Sequence, residues 1–520
     1  MASTAHTHGL TPGATRRTSS QQLALAVFAV ALAGAAAAVL ARYGHVNHDT
    51  VWLVMAAERL LDGGRYIDDV LELSPPVLLA AYMPGAVAGR VFGIDPYAAH
   101  LGWVALLIAG ATLLCRPGLQ RLFDRADGQP LPEAWLVPVV LAAMPGYDFG
   151  QKEHLFVILS LPALVLLAAE RQRPGTPAGL VIAATVPAAV ALTMKPYWLL
   201  VPAALVAWAA LGPRVGRRFA AVALAAAAAA VAAIAVATLA GYAGWATIAG
   251  WATELHDAFG VAPARLARRT ETAAIVLVFA AAATGAFLPR GTAARTLAGG
   301  LVVAAAAAFA AALLQRKGWA YHLLPVVQCA TLAIGLVVLR LLRDRDVPRR
   351  LAGGLLVAVA MTTVVQHVYL AVNRAFRSDP AFVGEFAAHL RDHAAGRSFL
   401  AISTNQWPAF PAVVLAGARW VSRAPHQWMF PGAVRLLSGD AEQRARGAHY
   451  RDMALAMIAD DIERHRPHAI AIDVGADQQG VGDGFDMPGF LRQDPRLRAL
   501  LDGYREVARD DRWVFYVAGP

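Results

Sequence analysis

The sequence predicts a mainly α, polytopic membrane protein of about eleven transmembrane helices, followed by a small α/β domain outside the membrane. Three observations carry this reading. Hydrophobic residues make up 58% of the chain and charged residues only 16%, with a mean hydropathy of +0.48, where a soluble protein carries about 25% charged residues. Runs such as 21–41, 219–239 and 301–314 are almost free of charge at spanning or near-spanning length. After residue 374 the composition changes, as charge rises and Pro, Asp and Gly appear.

The order of the elements follows from arginine. Clusters stand at Arg16/Arg17, Arg116/Arg121/Arg125, Arg171/Arg173, Arg214/Arg217/Arg218, Arg290/Arg295 and Arg340–Arg350. Cytoplasmic placement of all six requires two crossings between each consecutive pair. The spans are then 22–41, 97–115, 134–146, 155–169, 177–194, 197–211, 219–240, 271–288, 296–314, 323–341 and 351–371. Several fall short of twenty residues, which implies tilt, local thinning or breaks lining a cavity. The stretch 76–93 is apolar enough to span, but a crossing there would throw five arginine clusters outward, so it is read as an interfacial or re-entrant helix. Residues 22–41 are too long for a secretory signal and form an uncleaved first span behind a disordered cytoplasmic segment, 1–20. Both termini of the membrane domain, 21–373, follow: the N-terminus is cytoplasmic and the tail, 374–520, is extracytoplasmic. In the tail, β-like runs at 398–403, 468–473 and 513–517 alternate with helical pieces such as 453–464. The Arg- and Ala-rich composition suits a bacterial inner membrane.

Two function classes drop out. The net charge of +10 comes mostly from arginine in short interhelical loops and is no nucleic-acid footprint. Cys115 and Cys329 lie in apolar spans far from any CxxC spacing, which argues against a disulfide framework or a zinc site.

The threading collects polar clusters on the outer face, in loops 42–96, 146–154, 241–270 and 315–322. The first loop reads His45-Val-Asn-His48-Asp49-Thr-Val-Trp52 and ends in Glu72-Leu-Ser74-Pro75-Pro76. Residues 50–61 are amphipathic at helical spacing, with Asp49 at the N-terminus, where Asp also serves well as a simple cap. The second is Tyr147-Asp148-Phe-Gly-Gln151-Lys152-Glu153-His154, an expensive density of ionisable groups between two spans. The third holds Lys195 in Lys195-Pro196-Tyr197-Trp198, a lysine that is equally placed to snorkel to the interface. The fourth is Gln315-Arg316-Lys317-Gly318-Trp319-Ala-Tyr321-His322, readable as an aromatic belt or as a site for an anionic headgroup. The amphipathic stretch 245–269 would cover a cavity. In the tail, Asn405-Gln406-Trp407 and 420–428 mix aromatic and polar residues, as carbohydrate-binding surfaces do and as a small domain docking on a membrane does; Asp473 before Gly475 suits a ligand-binding strand end or a turn cap. Carboxylates and cations on one face suit a reaction that needs a general base and a clamp for a phosphate leaving group.

A first span, an Asp (Asp49) opening an amphipathic helix, and then LLDGGRYIDDVLELSPP entering an apolar helix resemble the GT-C superfamily of integral-membrane glycosyltransferases. The closest group is the protein O-mannosyltransferases and aminoarabinose transferases. The resemblance covers 20–370 in architecture and is motif-grade over 45–80 and 145–155. Asp49 falls on the family's catalytic acidic position; Asp148, 99 residues on, falls near its second. The resemblance implies sugar transfer from a polyprenyl-phosphate donor, usually with inversion, to a glycan, lipid or protein acceptor. Asp49 would act as base and Asp148 would organise the site. His48, Glu72, Lys152, Glu153, His154, Lys195, Arg316, Lys317, Tyr321 and His322 are the candidate substrate-binding residues, with the cations holding the phosphate. Two departures stand out. The family's acidic dyad is His48-Asp49 here, and Ser74 replaces the lysine before the Pro-Pro pair. A divalent ion stays open, with His45, His48, Asp49 and Asp148 as a mixed N/O set. A lipid or sugar transporter (flippase) and a non-catalytic membrane scaffold are the alternatives.

Overall fold

The computed structural model describes residues 22–36, 47–126, 129–212, 215–262, 270–286, 288–342 and 380–519. The expected span 351–371 and the expected disordered segment 1–20 lie outside them. Each expected span through 323–341 coincides with an apolar helix. These are α1 (Gln22–Ala36), α4 (Pro96–Phe123), α5 (Glu133–Ala143), α6 (Lys152–Gln172), α7 (Ala178–Thr193), α8 (Leu200–Ala210), α9 (Arg217–Gly241), α11 (Thr270–Ala286), α12 (Ala293–Gln315) and α13 (Leu324–Leu341). Among the described residues, five helices are long and apolar enough to cross a bilayer: α4, α6, α9, α12 and the stretch Ala320–Leu341 that contains α13. The others are shorter, and α5 and α7 each carry an internal proline.

Helix direction alternates along the chain. The C-terminal ends of α5, α7 and α12 gather with the N-terminal ends of α6, α8 and α13 around one cavity, which Pro145, Lys152, Met194, Pro196, Gln315 and Leu324 all line. The opposite ends carry arginine. There Arg121 donates to the Arg173 carbonyl at 3.0 Å, Arg173 pairs with Asp124, and Gln172 donates to Thr296 near the start of α12.

Between α1 and α4 come α2 (His48–Leu61) and α3 (Pro76–Phe92), both packed against the bundle near the cavity. Asn47 caps α2, its side chain accepting from the Thr50 amide at 3.0 Å. The stretch read as interfacial or re-entrant, 76–93, is therefore a helix (α3) whose Gly85 lies against the His100 backbone of α4. A Cβ there would sit 2.6 Å from the His100 Cα, so no larger residue fits without moving α4. Helix α10 (Gly244–Leu255) lines the cavity through Trp245, Ala249, Ala252 and Thr253; of the stretch 245–269 expected to cover a cavity, residues 263–269 lie outside the described residues.

The tail forms a five-stranded sheet in the order β2-β1-β3-β5-β4. The strands are β1 (Ser398–Ile402), β2 (Arg419–Trp420), β3 (Ala469–Asp473), β4 (Tyr504–Arg509) and β5 (Trp513–Ala518). β2, β1 and β3 are parallel; β5 turns back antiparallel to β3. β1 and β3 are buried along their whole length, which is why they read as continuous apolar runs. Helix α14 (Pro380–Ala394) precedes the sheet and the long α17 (Ala441–His465) crosses over to β3, with α15 (Ala409–Leu415) and α16 (Met429–Leu437) between.

This domain is bolted to the membrane half. Arg59 of α2 donates to the carbonyls of Ser422 at 2.6 Å, Trp420 at 2.9 Å and Asp69 at 3.1 Å. Arg423 pairs with Asp461 at 2.7 Å and donates to the Ile67 carbonyl, and Arg464 pairs with Asp69 at 2.7 Å. On the far side of the cavity Arg446 and Tyr450 hold Glu254, and Arg435 holds Asp257. One hydrophobic core runs unbroken from Leu25 to Phe515.

Candidate active site

Between the helix ends and the tail lies a cavity of about 1040 Å³. It brings together residues from all the outer clusters: Asp49 and His48, Glu72, Asp148 and Lys152, Lys195, and Arg316, Lys317, Tyr321 and His322. Glu153 and His154 do not line it. Glu153 is fully buried beneath it and accepts from Lys195 at 2.8 Å. His154 is consumed by the loop that precedes it: its Nδ1 accepts from the Gly150 amide at 3.1 Å and its Nε2 donates to the Leu141 carbonyl at 2.7 Å. The candidate substrate contact at His154 is thus corrected to a structural one, because both ring nitrogens are spent and the ring is buried.

The acidic side is assembled from two loops that clasp each other. The cap of α2 is Asn47, so Asp49 is released from the capping role that its position suggests. Its Oδ2 instead accepts from Gln151 at 2.9 Å, while Oδ1 faces His48 Nε2 at 3.6 Å. His48 Nδ1 is 2.9 Å from the Tyr147 hydroxyl. Asn47 also reaches across to the Tyr147 carbonyl at 3.1 Å and to Asp148 Oδ1 at 3.4 Å. Gly150 makes this clasp possible. Its φ of +83° needs glycine, and its carbonyl accepts from the Tyr82 hydroxyl of α3 at 2.8 Å and from His100 of α4 at 3.3 Å. Asn47, Tyr147 and Gln151 were not among the candidates, since their part is to hold Asp49, His48 and Asp148 across two loops, a contact between distant segments that no local pattern shows.

Glu72 is held at Oε2 by the Trp52 indole and at Oε1 by the Ser74 amide at 2.8 Å.

The four cations differ in what they already bind. Lys195 is tied to Glu153 and sits 3.1 Å from His322 Nε2, so it does not snorkel outward. Lys317 donates to the His256 carbonyl. Burial lowers its pKa to about 8, with Asp257 opposing and Arg316, Arg435 and Lys195 reinforcing the shift. Lys152 lies over the Tyr321 ring at 5.8 Å, a cation–π contact. Among the described residues neither Lys152 nor Arg316 has a side-chain hydrogen bond or ion pair. Both cations line the cavity without a direct ion pair, beside its carboxylates Asp49, Glu72 and Asp148, and can take an anionic ligand.

His45 lies outside the described residues, and among those described no three His, Cys, Asp or Glu side chains converge as ligands. Asp49 spends Oδ2 on Gln151 and His48 Nδ1 faces Tyr147, which leaves Asp49 Oδ1 and His48 Nε2, 3.6 Å apart, as the donors not engaged by those contacts.

The roof comes from the tail. Asn405, Gln406, Trp407, His426 and Trp428 line the cavity from above. Their aromatic and polar character was legible, but its place over the cavity was not. Asp473 is a turn cap: it accepts from the Gly475 amide at 3.0 Å and from Ser403 at 2.7 Å, and burial lifts its carboxyl above the ordinary range.

No protein-family model matches the chain, and no curated protein sequence matches it. Among solved structures, ArnT from Cupriavidus metallidurans in the apo state is similar over 91% of this chain and 94% of its own, at 14% identity and a TM-score of 0.42. The arabinofuranosyltransferase AftD from Mycobacteria is similar over 96% of this chain, which spans 40% of that protein, at 14% identity and a TM-score of 0.46. The archaeal oligosaccharyltransferase AglB from Archaeoglobus fulgidus, solved with an inhibitory peptide and a dolichol-phosphate, is similar over 87% of this chain and 69% of its own, at 13% identity and a TM-score of 0.39.

Proposed function

We propose that this chain is a GT-C-type membrane glycosyltransferase of a bacterial inner membrane. It moves a sugar from a polyprenyl-phosphate donor to an acceptor hydroxyl on the extracytoplasmic face. One observation carries the reading: one cavity at the ends of the apolar helices holds an anchored carboxylate, Asp49, and two cations, Lys152 and Arg316, that make no side-chain hydrogen bond or ion pair among the described residues.

In this account the Asp49 carboxylate, fixed through Oδ2 by Gln151, takes the proton of the acceptor hydroxyl on Oδ1. The acceptor oxygen then bonds to the anomeric carbon as the bond from that carbon to the phosphate oxygen breaks. The electron pair leaves with the polyprenyl phosphate, whose charge Lys152 and Arg316 meet, with Lys317 and Lys195 behind them. Attack from the face opposite the leaving phosphate inverts the anomeric centre. His48, backed by Tyr147, stands beside Asp49 where the dyad's second acid stands in the family the chain resembles; an imidazole there positions the carboxylate without adding a second negative charge.

The test uses membranes carrying the full chain, given labelled sugars on polyprenyl phosphate and, in parallel, labelled nucleotide sugars. Release of polyprenyl phosphate with label passed to an acceptor, from the lipid donor only, is the expected result. Label drawn from nucleotide sugars, or no cleavage of any lipid donor, would overturn the reading.

A further inference from the structure

The sheet of the tail meets the cavity with one particular edge. In open sheets of parallel strands, ligands bind beyond the carboxyl ends of the strands, where the connecting loops diverge. β2, β1 and β3 are the parallel strands here, and the loop after each reaches the cavity. β1 ends at Ile402 and is followed by Asn405, Gln406 and Trp407. β2 ends at Trp420 and is followed by Pro425, His426 and Trp428. β3 ends at Asp473 and is followed by Gln479. These loops are set in register by one chain of hydrogen bonds: Asp473 accepts from Ser403, whose Oγ accepts from the Asn405 amide at 3.0 Å, and the Ser403 carbonyl accepts from the Gln427 amide at 2.8 Å.

The chemistry of this wall is uniform. No residue that the tail brings to the cavity carries a permanent charge. Burial pushes His426 down to about 4, which leaves its imidazole neutral at physiological pH. What remains is flat rings and amides. Three polar atoms of the wall are buried without a partner among the described residues: Gln406 Oε1, His426 Nδ1 and the indole N–H of Trp428, a side chain only 1% exposed. Buried polar atoms without partners are costly in a finished structure, and a bound ligand or an ordered water would supply the partner. Amides offer both donor and acceptor, and an indole pairs a ring face with one donor. A neutral molecule bearing many hydroxyls and an apolar C–H face matches this set; an ionised ligand does not.

Resting on the transferase reading above, we infer that the acceptor is a neutral carbohydrate, recognised by the carboxyl-edge loops of the C-terminal sheet. The membrane half then performs the chemistry and the tail selects the acceptor. Phe259, 6.3 Å from His426 and 6.5 Å from Trp319 between ring centroids, joins the two walls and continues the ring surface toward the cations.

The experiment is calorimetric titration of the full chain in nanodiscs with mannobiose, galactobiose, cellobiose and arabinobiose, beside a serine-containing peptide. Saturable binding of at least one disaccharide at millimolar concentration is expected. Gln406→Ala and Trp428→Phe, which keeps the ring and removes the N–H, should each weaken it by about tenfold, the worth of one hydrogen bond to a neutral partner. Arg173→Gln, at an exposed ion pair outside the cavity, should leave it intact. Binding of the peptide alone, of none of the disaccharides, or of a disaccharide with equal strength in both roof variants would overturn the inference. A disaccharide bound as expected by a chain that cleaves no lipid donor would sink the transferase reading while leaving a carbohydrate site in the roof, so the two failures are distinct.

Discussion

Of the two walls of the cavity, the one built from membrane helices and their loops carries every permanent charge, and the one built from the sheet carries none. The contrast follows from what stands behind each wall. Behind the first, helix ends and clasped loops supply fixed partners: Gln151 for Asp49, Glu153 for Lys195, and Trp52 and Ser74 for Glu72. Charges can be held there at defined positions. Behind the second, a buried sheet edge supplies loops whose polar groups carry no permanent charge. One wall is equipped to move charge and the other to recognise an uncharged surface.

The charged wall itself divides into cations already paired and cations waiting for a partner, and this division can be broken by mutation. The largest effect is expected from Lys152→Met combined with Arg316→Met. Removal of both unspent cations should lower kcat/KM for a polyprenyl-phosphate donor by roughly 10²–10³-fold, the scale of losing preorganised stabilisation of developing charge. Thermal stability should hardly move. If transfer kinetics are unchanged while the protein unfolds earlier, the two cations are structural.

Lys195 should behave the other way round. Glu153→Gln leaves the ammonium in its buried place without a carboxylate, and breaking such a pair costs about 3–5 kcal/mol. A lower unfolding temperature is expected, with Lys195→Met in the same chain restoring part of it. A stability equal to the parent's in Glu153→Gln would show that the pair holds nothing.

A smaller effect should come from pH. Lys317 is charged below about pH 8 and loses its proton above it, since burial lowers its pKa from that of an ordinary lysine. KM for the donor should therefore rise as pH passes through 8, and Lys317→Arg, which stays protonated, should flatten that alkaline limb. An unaltered limb in the arginine variant would assign it to another group.

Arg173→Gln, at the arginine end of the bundle, should change neither transfer nor donor binding. The ion pair of Arg173 with Asp124 is exposed and far from the cavity.

Much of this was written in the sequence because the bilayer and the positive-inside rule act on composition directly. Apolar runs become helices, and Arg121 and Arg173 meet at one end of the bundle. The β runs of the tail were legible for the related reason that buried parallel strands are continuously apolar. Asp49 and Asp148 stood out as ionisable groups in costly places. What could not be read is contact between distant segments. The role of Asn47 as the cap of α2 frees Asp49, but Asn and Asp are alike as caps in a sequence. Glu153 and His154 looked like site residues by adjacency to Lys152, yet helical rotation carries them beneath the cavity, where one neutralises Lys195 and the other braces Gly150. The roof depends on Arg59 finding three carbonyls, those of Ser422 and Trp420 more than three hundred residues away, and no local pattern announces it.

The most direct test is single-turnover transfer by the full chain with Asp49→Asn beside the parent, with donor binding measured on the same samples. Asn cannot accept the acceptor proton but keeps the size and the hydrogen-bonding reach of Asp. The account predicts unchanged donor affinity and a transfer rate lower by about 10²–10⁴-fold, the usual worth of a general base. Transfer by the variant at the parent's rate would contradict it.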